Sequence, residues 1–241
     1  MTYLQFHLFF NLPLLGLLAV AARVGSWTGG EWMAAGLVLL AVMVFTSPWD
    51  NWAAGRGIWG FPREKYTIKI GHLPIEEYLF FVLQSANVML GVSALLRVVP
   101  ALKTGLALPM EEVRWTGAGL VMAASATVMV IFCRFFHEKY YRYARHLLGW
   151  FLPVIAVQWA VGGPLFKEHA VVLFVSAFMF GTYYTAADLV AVRDGVWYFD
   201  EAQITGIKLA RTLPWEEIAF FYLTSLLVAQ SFLLFLPAAA R

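Results

Sequence analysis

The chain has 241 residues, of which 61% are hydrophobic and only 13% charged. Soluble domains average about 45–50% apolar and about 25% charged residues, so this composition excludes a soluble enzyme and a disordered chain and points to an integral membrane protein. A net charge of +2 gives no basic face for nucleic acid, and Cys133, the only cysteine, excludes an intrachain disulfide and a thiolate metal cluster.

A bilayer-spanning helix needs roughly 20 apolar residues. Seven runs approach that length: 3–22, 32–46, 74–96, 115–136, 147–161, 170–187 and 214–236. The first contains Ala19-Val20-Ala21, a cleavage-site mimic. Residues 1–10 hold no Lys or Arg, so the positive stretch of a signal peptide is missing and the run is read as part of the fold. The second and fifth runs are short and are expected to extend. Ahead of the third run, residues 57–61, the polar 62–65 and 66–70 read as a small β-hairpin. Residues 195–199, 200–203 and 204–209 read the same way ahead of the seventh. The loops on the side of the N-terminus hold 11 Lys and Arg against 6 opposite. This predicts a multi-pass protein of the cell membrane, with its N-terminus cytoplasmic and its C-terminus outside.

Two segments repeat. Leu73-Pro74-Ile75-Glu76-Glu77-Tyr78-Leu79-Phe80-Phe81 recurs 140 residues on as Leu213-Pro214-Trp215-Glu216-Glu217-Ile218-Ala219-Phe220-Phe221. Leu12-Pro13 answers Leu152-Pro153 at the same offset, and Asp50, Gly57, Trp59 and Phe61 answer Asp188, Gly195, Trp197 and Phe199. The expected architecture is all-α. Two parallel three-helix repeats, residues 1–100 and 141–241, are joined by a linker, 101–140, that holds the fourth helix. An odd number of linker spans returns the chain to its starting side, so both Pro-x-Glu-Glu segments face the same side of the membrane.

Five charged residues fall inside the runs: Glu76, Glu77, Glu216, Glu217 and Arg134. An ionisable group within a membrane is costly and marks a candidate site. The ordinary explanation is a helix start, in which Pro opens the first turn and acidic residues complement the dipole. One carboxylate suffices for that, and here two adjacent pairs stand at equivalent places. The dipole favours the anion, while an apolar setting and a like-charged neighbour favour the acid. A pair is thus suited to supply a proton donor beside an anion. Gln84 and Asn87 follow Glu77 and Glu76 at helical spacings, and Thr224 follows Glu217. Hydrogen bonding between helices is their commoner use, and substrate contact is the alternative. Trp59, Phe80, Phe81, Trp197, Phe220 and Phe221 surround the pairs. An interfacial aromatic belt explains some of them, but ring faces also attract cations, and an aromatic-lined space beside an acid suits carbocation chemistry. Asp50, Asn51 and Asp188 lie where runs end, so capping and turn roles compete with catalytic support. The five histidines lack metal-ligand spacing, so no metal site is expected.

Pro48-Trp49-Asp50-Asn51, Gly57-Ile58-Trp59 and the doubled Pro-x-Glu-Glu segment resemble the small-subunit, membrane-integral lycopene cyclases. That family occurs as two three-helix polypeptides or fused, and this chain resembles a fused form. The second half departs from the pattern: Asp188 has no Pro-Trp before it, and Trp215 stands at the place of Ile75. The resemblance implies formation of β-ionone rings at the ends of lycopene. Protonation starts the reaction, a ring closes through a tertiary cation, and a proton is lost, with no net redox change and no cofactor. It implies acid and base duties for Glu76, Glu77, Glu216 and Glu217. Two other expectations stay open: a carotenoid hydratase of a related membrane family, and a non-enzymatic seven-helix polyene-binding protein.

Overall fold

The computed structural model describes residues 1–99, 110–135 and 138–241. Residues 100–109 and 136–137, with Lys103 and His137 of the expected linker, lie outside the described residues. Seven helices are long and apolar enough to cross a membrane: α1 (Tyr3–Ala21), α2 (Gly29–Gly55), α3 (Ile75–Leu96), α4 (Met110–Phe135), α5 (Arg142–Glu168), α6 (Ala170–Arg193) and α7 (Trp215–Phe235). The chain is an all-α, multi-pass membrane protein. α3 and α7 touch each other and hold the centre of the bundle, and their spans are the most enclosed. α4 packs mainly along α5, with most of its described side chains turned outward.

Several helices outrun their apolar runs. α2 starts from a capping box, in which Glu31 N donates to Thr28 Oγ1 (3.3 Å) and Thr28 N to Glu31 Oε2 (2.7 Å). It then passes Pro48 and ends only at Gly55. α5 likewise extends beyond 147–161 at both ends. Counting apolar residues stops at the first polar group, whereas a helix continues wherever that group faces inward and finds a partner. Asp50 and Asp188 therefore lie inside α2 and α6 rather than at their ends. α1 contains one π turn, His7–Asn11, ahead of Pro13. Pro13 has no N–H to give the ladder, and π turns occur mostly as single turns inside α-helices, as here.

Short hairpins precede α3 and α7. β2 (Lys69–Ile70) pairs with β3 (Leu73–Pro74), and β5 (Lys208–Leu209) with β6 (Leu213–Pro214). Gly71 (φ +66°) is left-handed in the first turn, and Ala210 (φ +49°) and Arg211 (φ +61°) are both left-handed in the second, longer turn. The first arm of each expected hairpin finds a different partner. β1 (Trp59–Gly60) pairs antiparallel with β4 (Tyr198–Phe199), Trp59 facing Phe199 and Gly60 facing Tyr198. The two loops sit at one end of the bundle, so each supplies the other's backbone partners. Gln203 tightens this link between halves, its Nε2 reaching the carbonyls of Arg56 (3.2 Å) and Gly57 (3.1 Å). Hydrogen bonds from Ala202 N and Gln203 Nε2 hold the nearby Asp200 carboxyl below the usual carboxylate range.

Candidate active site

Pro74 and Pro214 cap α3 and α7, where the missing N–H is no loss. Ile75 N instead closes on Ile68 O (2.9 Å), and Trp215 N on Ile207 O (3.0 Å), which fixes each hairpin to its helix. Consecutive helical residues point about 100° apart, so each glutamate pair is divided between two neighbourhoods. Glu76 turns to its hairpin, accepting from Thr67 N (2.8 Å) and the Thr67 hydroxyl. Glu216 does the same with Thr205 N (2.8 Å) and Oγ1 (2.9 Å).

Glu77 and Glu217 point the other way, into the bundle. Glu77 Oε2 accepts from Tyr3 OH (2.7 Å), and Glu217 Oε1 from Tyr143 OH (2.5 Å). Asp50 and Asp188 join them from α2 and α6. Asp50 Oδ1 accepts from Trp59 Nε1 (3.0 Å), and Asp188 Oδ1 from Trp197 Nε1 (2.7 Å). All four line one pocket of about 50 Å³. Asp50, Asp188 and Glu217 are buried and Glu77 is half-buried. Desolvated carboxyls need donors, and each of the four has one from its own half.

The walls interlock the halves. Tyr3 lies against Trp197 of the other half (4.9 Å between ring centroids), and Tyr143 against Trp59 (5.0 Å). Phe61 and Phe199 stack on the same two tyrosines (6.1 and 6.3 Å). Phe80, Phe220 and Phe221 complete the lining with Trp49. A cation formed here meets ring faces and carboxyl groups together.

The remaining sequence candidates lie around this pocket. Phe81, Gln84 and Thr224 border a neighbouring cavity, and Gln84 Nε2 donates to Thr224 Oγ1 (3.0 Å) across the two central helices. Asn87 Nδ2 donates to Tyr184 OH (2.8 Å) and to Asn11 O (3.3 Å). Asn51 ties the first hairpin, donating to Tyr78 OH (2.9 Å) and accepting from His72 N (2.9 Å). Arg134 is on α4, away from both cavities. Tyr3 and Tyr143 are absent from the sequence candidates, although they obey the same 140-residue offset. That offset is the signal that finds them. Among the described residues, no cluster of His, Cys, Asp and Glu has the form of a metal site.

The fold and pocket define a class: a multi-pass membrane protein whose buried carboxyl groups face a small, aromatic-walled space. The lycopene cyclase family profile matches residues 4–93 and 150–235. The lycopene beta-cyclase of Halobacterium salinarum is 32% identical over 233 residues, covering 95% of this chain and 93% of the relative. The bifunctional lycopene cyclase/phytoene synthases of Phycomyces blakesleeanus and Phaffia rhodozyma are 28% and 29% identical, over 92% and 95% of this chain but only 37% and 36% of those longer proteins. No solved structure matches. The chain belongs to the lycopene cyclase family.

Proposed function

We propose that this cyclase closes β-ionone rings at the ends of lycopene, with Asp50, Glu77, Asp188 and Glu217 sharing the acid and base duties. The observation that carries this reading is the convergence of four carboxyl groups, two from each half, on one aromatic pocket inside a membrane bundle. A carboxylic acid gives its proton to the terminal double bond. The tertiary cation is attacked by the neighbouring double bond, which closes the ring. A carboxylate then removes a ring proton, so one proton enters and one leaves and no electrons are exchanged. Tyr3 and Tyr143 position Glu77 and Glu217, and the indoles of Trp59 and Trp197 position the aspartates. Glu76 and Glu216 act one step back, by holding at Thr67 and Thr205 the loops that carry those tryptophans.

The division into repeats 1–100 and 141–241 around a linker belongs to the same proposal. So does a cytoplasmic N-terminus in the cell membrane, which rests on the 11-to-6 distribution of Lys and Arg. Expression in lycopene-producing cells tests the reaction. The expected pigment has unchanged mass and a blue-shifted spectrum, because ring closure twists the terminal double bond out of conjugation. A heavier, hydroxylated pigment identifies a hydratase, and unaltered lycopene identifies a binding protein; either overturns the proposal.

A further inference from the structure

A second, apolar cavity of about 220 Å³ lies between α2, α3, α5 and α7, beside the carboxyl pocket. Val42, Phe45, Phe151, Val154 and Leu227 form much of its wall. Two polar pairs bridge it, Gln84 Nε2 donating to Thr224 Oγ1 (3.0 Å) and Gln158 Nε2 to Ser231 Oγ (2.8 Å), and Gln158 Oε1 is a buried acceptor with no partner among the described residues. What the space offers a ligand is mainly hydrocarbon and ring faces. Its rim carries the exposed Ala41, and Leu40, Val44 and Val157 beside it are also exposed on the outer surface of α2 and α5. Phe220 lines both cavities and is the partition between them. It stacks on Trp49 (5.5 Å) and meets Phe151 edge-on (5.9 Å).

The repeat provides the comparison. The offset of 138 that aligns Asp50 with Asp188 aligns Val42 with Phe180, Phe45 with Tyr183 and Thr46 with Tyr184. In the second position the larger side chains occupy the corresponding space. Phe180 covers Gly91, where an added Cβ would come within 2.3 Å of the ring. Tyr184 OH donates to Asn11 Oδ1 (3.0 Å) and accepts from Asn87 Nδ2 (2.8 Å). Tyr183 OH donates to Phe10 O (2.8 Å). Two equivalent approaches to the carboxyl groups thus exist by symmetry, and one is filled by its own side chains.

We infer that the α2–α5 side is the single seat for the polyene, from which one end group passes Phe220 to reach the carboxyl pocket. This inference rests on the proposed lycopene reaction. The cavity is smaller than the roughly 300–1,000 Å³ of a site that encloses a drug-sized ligand. It therefore holds one end of a long polyene and leaves the rest in the bilayer. The two ends of a symmetric substrate are cyclised in separate visits, and the monocyclic product leaves the pocket between them.

The test uses the full chain in lipid nanodiscs with lycopene as the probe. In a Glu77→Gln background, which removes turnover, lycopene held in a chiral wall acquires circular dichroism in its visible band. Val42→Phe copies the filled side, and Ala41→Phe blocks the rim without entering the core. Each should weaken lycopene binding in that background and, with Glu77 present, raise KM roughly tenfold or more with kcat nearly unchanged, while Phe180→Leu on the filled side leaves binding and KM within about twofold. Unchanged binding in both Val42→Phe and Ala41→Phe overturns the seat. In a single-turnover reaction chased with excess unlabelled lycopene, labelled monocyclic product should accumulate before any bicyclic product; bicyclic label formed at once despite the chase overturns the separate visits. A Glu77→Gln protein that still cyclises lycopene defeats the catalytic reading instead, and the binding comparison distinguishes the two failures.

Discussion

Residues 3–96 and 142–235 carry the same polar apparatus on different walls. Each half presents a tyrosine to a glutamate and an indole to an aspartate, at matching sequence separations and similar distances. Yet Trp49 of the first half corresponds to Ala187, and Phe151 of the second to Asn11. The Trp49–Phe151–Phe220 cluster therefore exists on one side only, whereas the other side is crossed by the His7–Asn11–Asn87–Tyr184 hydrogen-bond network. In that network His7 Nε2 faces the Glu76 carbonyl (2.9 Å) and so carries the proton, which leaves Nδ1 to accept from Asn11 (3.0 Å). The polar contacts recur in both halves, whereas the apolar cavity lies on the α2–α5 side.

The largest effects should test the shared apparatus. Glu77→Gln and Glu217→Gln are each expected to lower cyclisation by about 10²–10⁴-fold, the scale of lost general acid–base catalysis, read as product formed per protein in nanodiscs. Full activity in either variant would break the functional equivalence of the halves. Tyr3→Phe and Tyr143→Phe remove one hydrogen bond to a carboxyl group, of about 1.5–3 kcal/mol. That corresponds to roughly 10–100-fold in kcat, with little change in KM. A fall confined to one tyrosine would assign the leading role to that half.

Stability measurements address the divergent walls. Tyr184→Phe leaves Asn11 and Asn87 short of a partner and should cost about 1–3 kcal/mol, seen as a lower thermal midpoint in detergent with the polyene seat intact. The smallest effects belong to the hairpin clamps. Thr67→Ala removes one side-chain hydrogen bond of about 0.5–1.5 kcal/mol and Thr205→Ala removes two, because Trp215 Nε1 also donates to Thr205 Oγ1 (2.6 Å), while the backbone N–H bonds to Glu76 and Glu216 remain. Stability should fall slightly and activity by less than about tenfold. A complete loss of activity would draw Glu76 and Glu216 into the chemistry after all.

Much of this architecture is legible in the amino-acid sequence. Hydropathy locates the seven spans because a bilayer demands long apolar runs, and the 140-residue offset exposes the repeat. The four glutamates stand out because charge inside such runs is rare. What spacing alone does not reveal is direction. Glu76 and Glu77 are neighbours in sequence, yet one faces a hairpin and the other the bundle, and only the packing around α3 decides which. Asp50 and Asp188 resemble boundary residues because the apolar count stops before them, while their partners Trp59 and Trp197 come from loops that fold back. Tyr3 is hidden for a different reason: an aromatic at the edge of an apolar run reads as part of an interfacial belt.

The pairing of each acid with a donor from its own half bears on how the chain is made. Tyr3 reaches Glu77 and Trp59 reaches Asp50 without help from any residue after 99. The first three helices can thus enter the bilayer during synthesis with those carboxyls already hydrogen-bonded. Tyr143 and Trp197 do the same for the last three. What waits for the second half is the β1–β4 ribbon and the exchange of ring faces between tyrosines and tryptophans. The pocket, walled by residues of both halves, is complete only when they have come together.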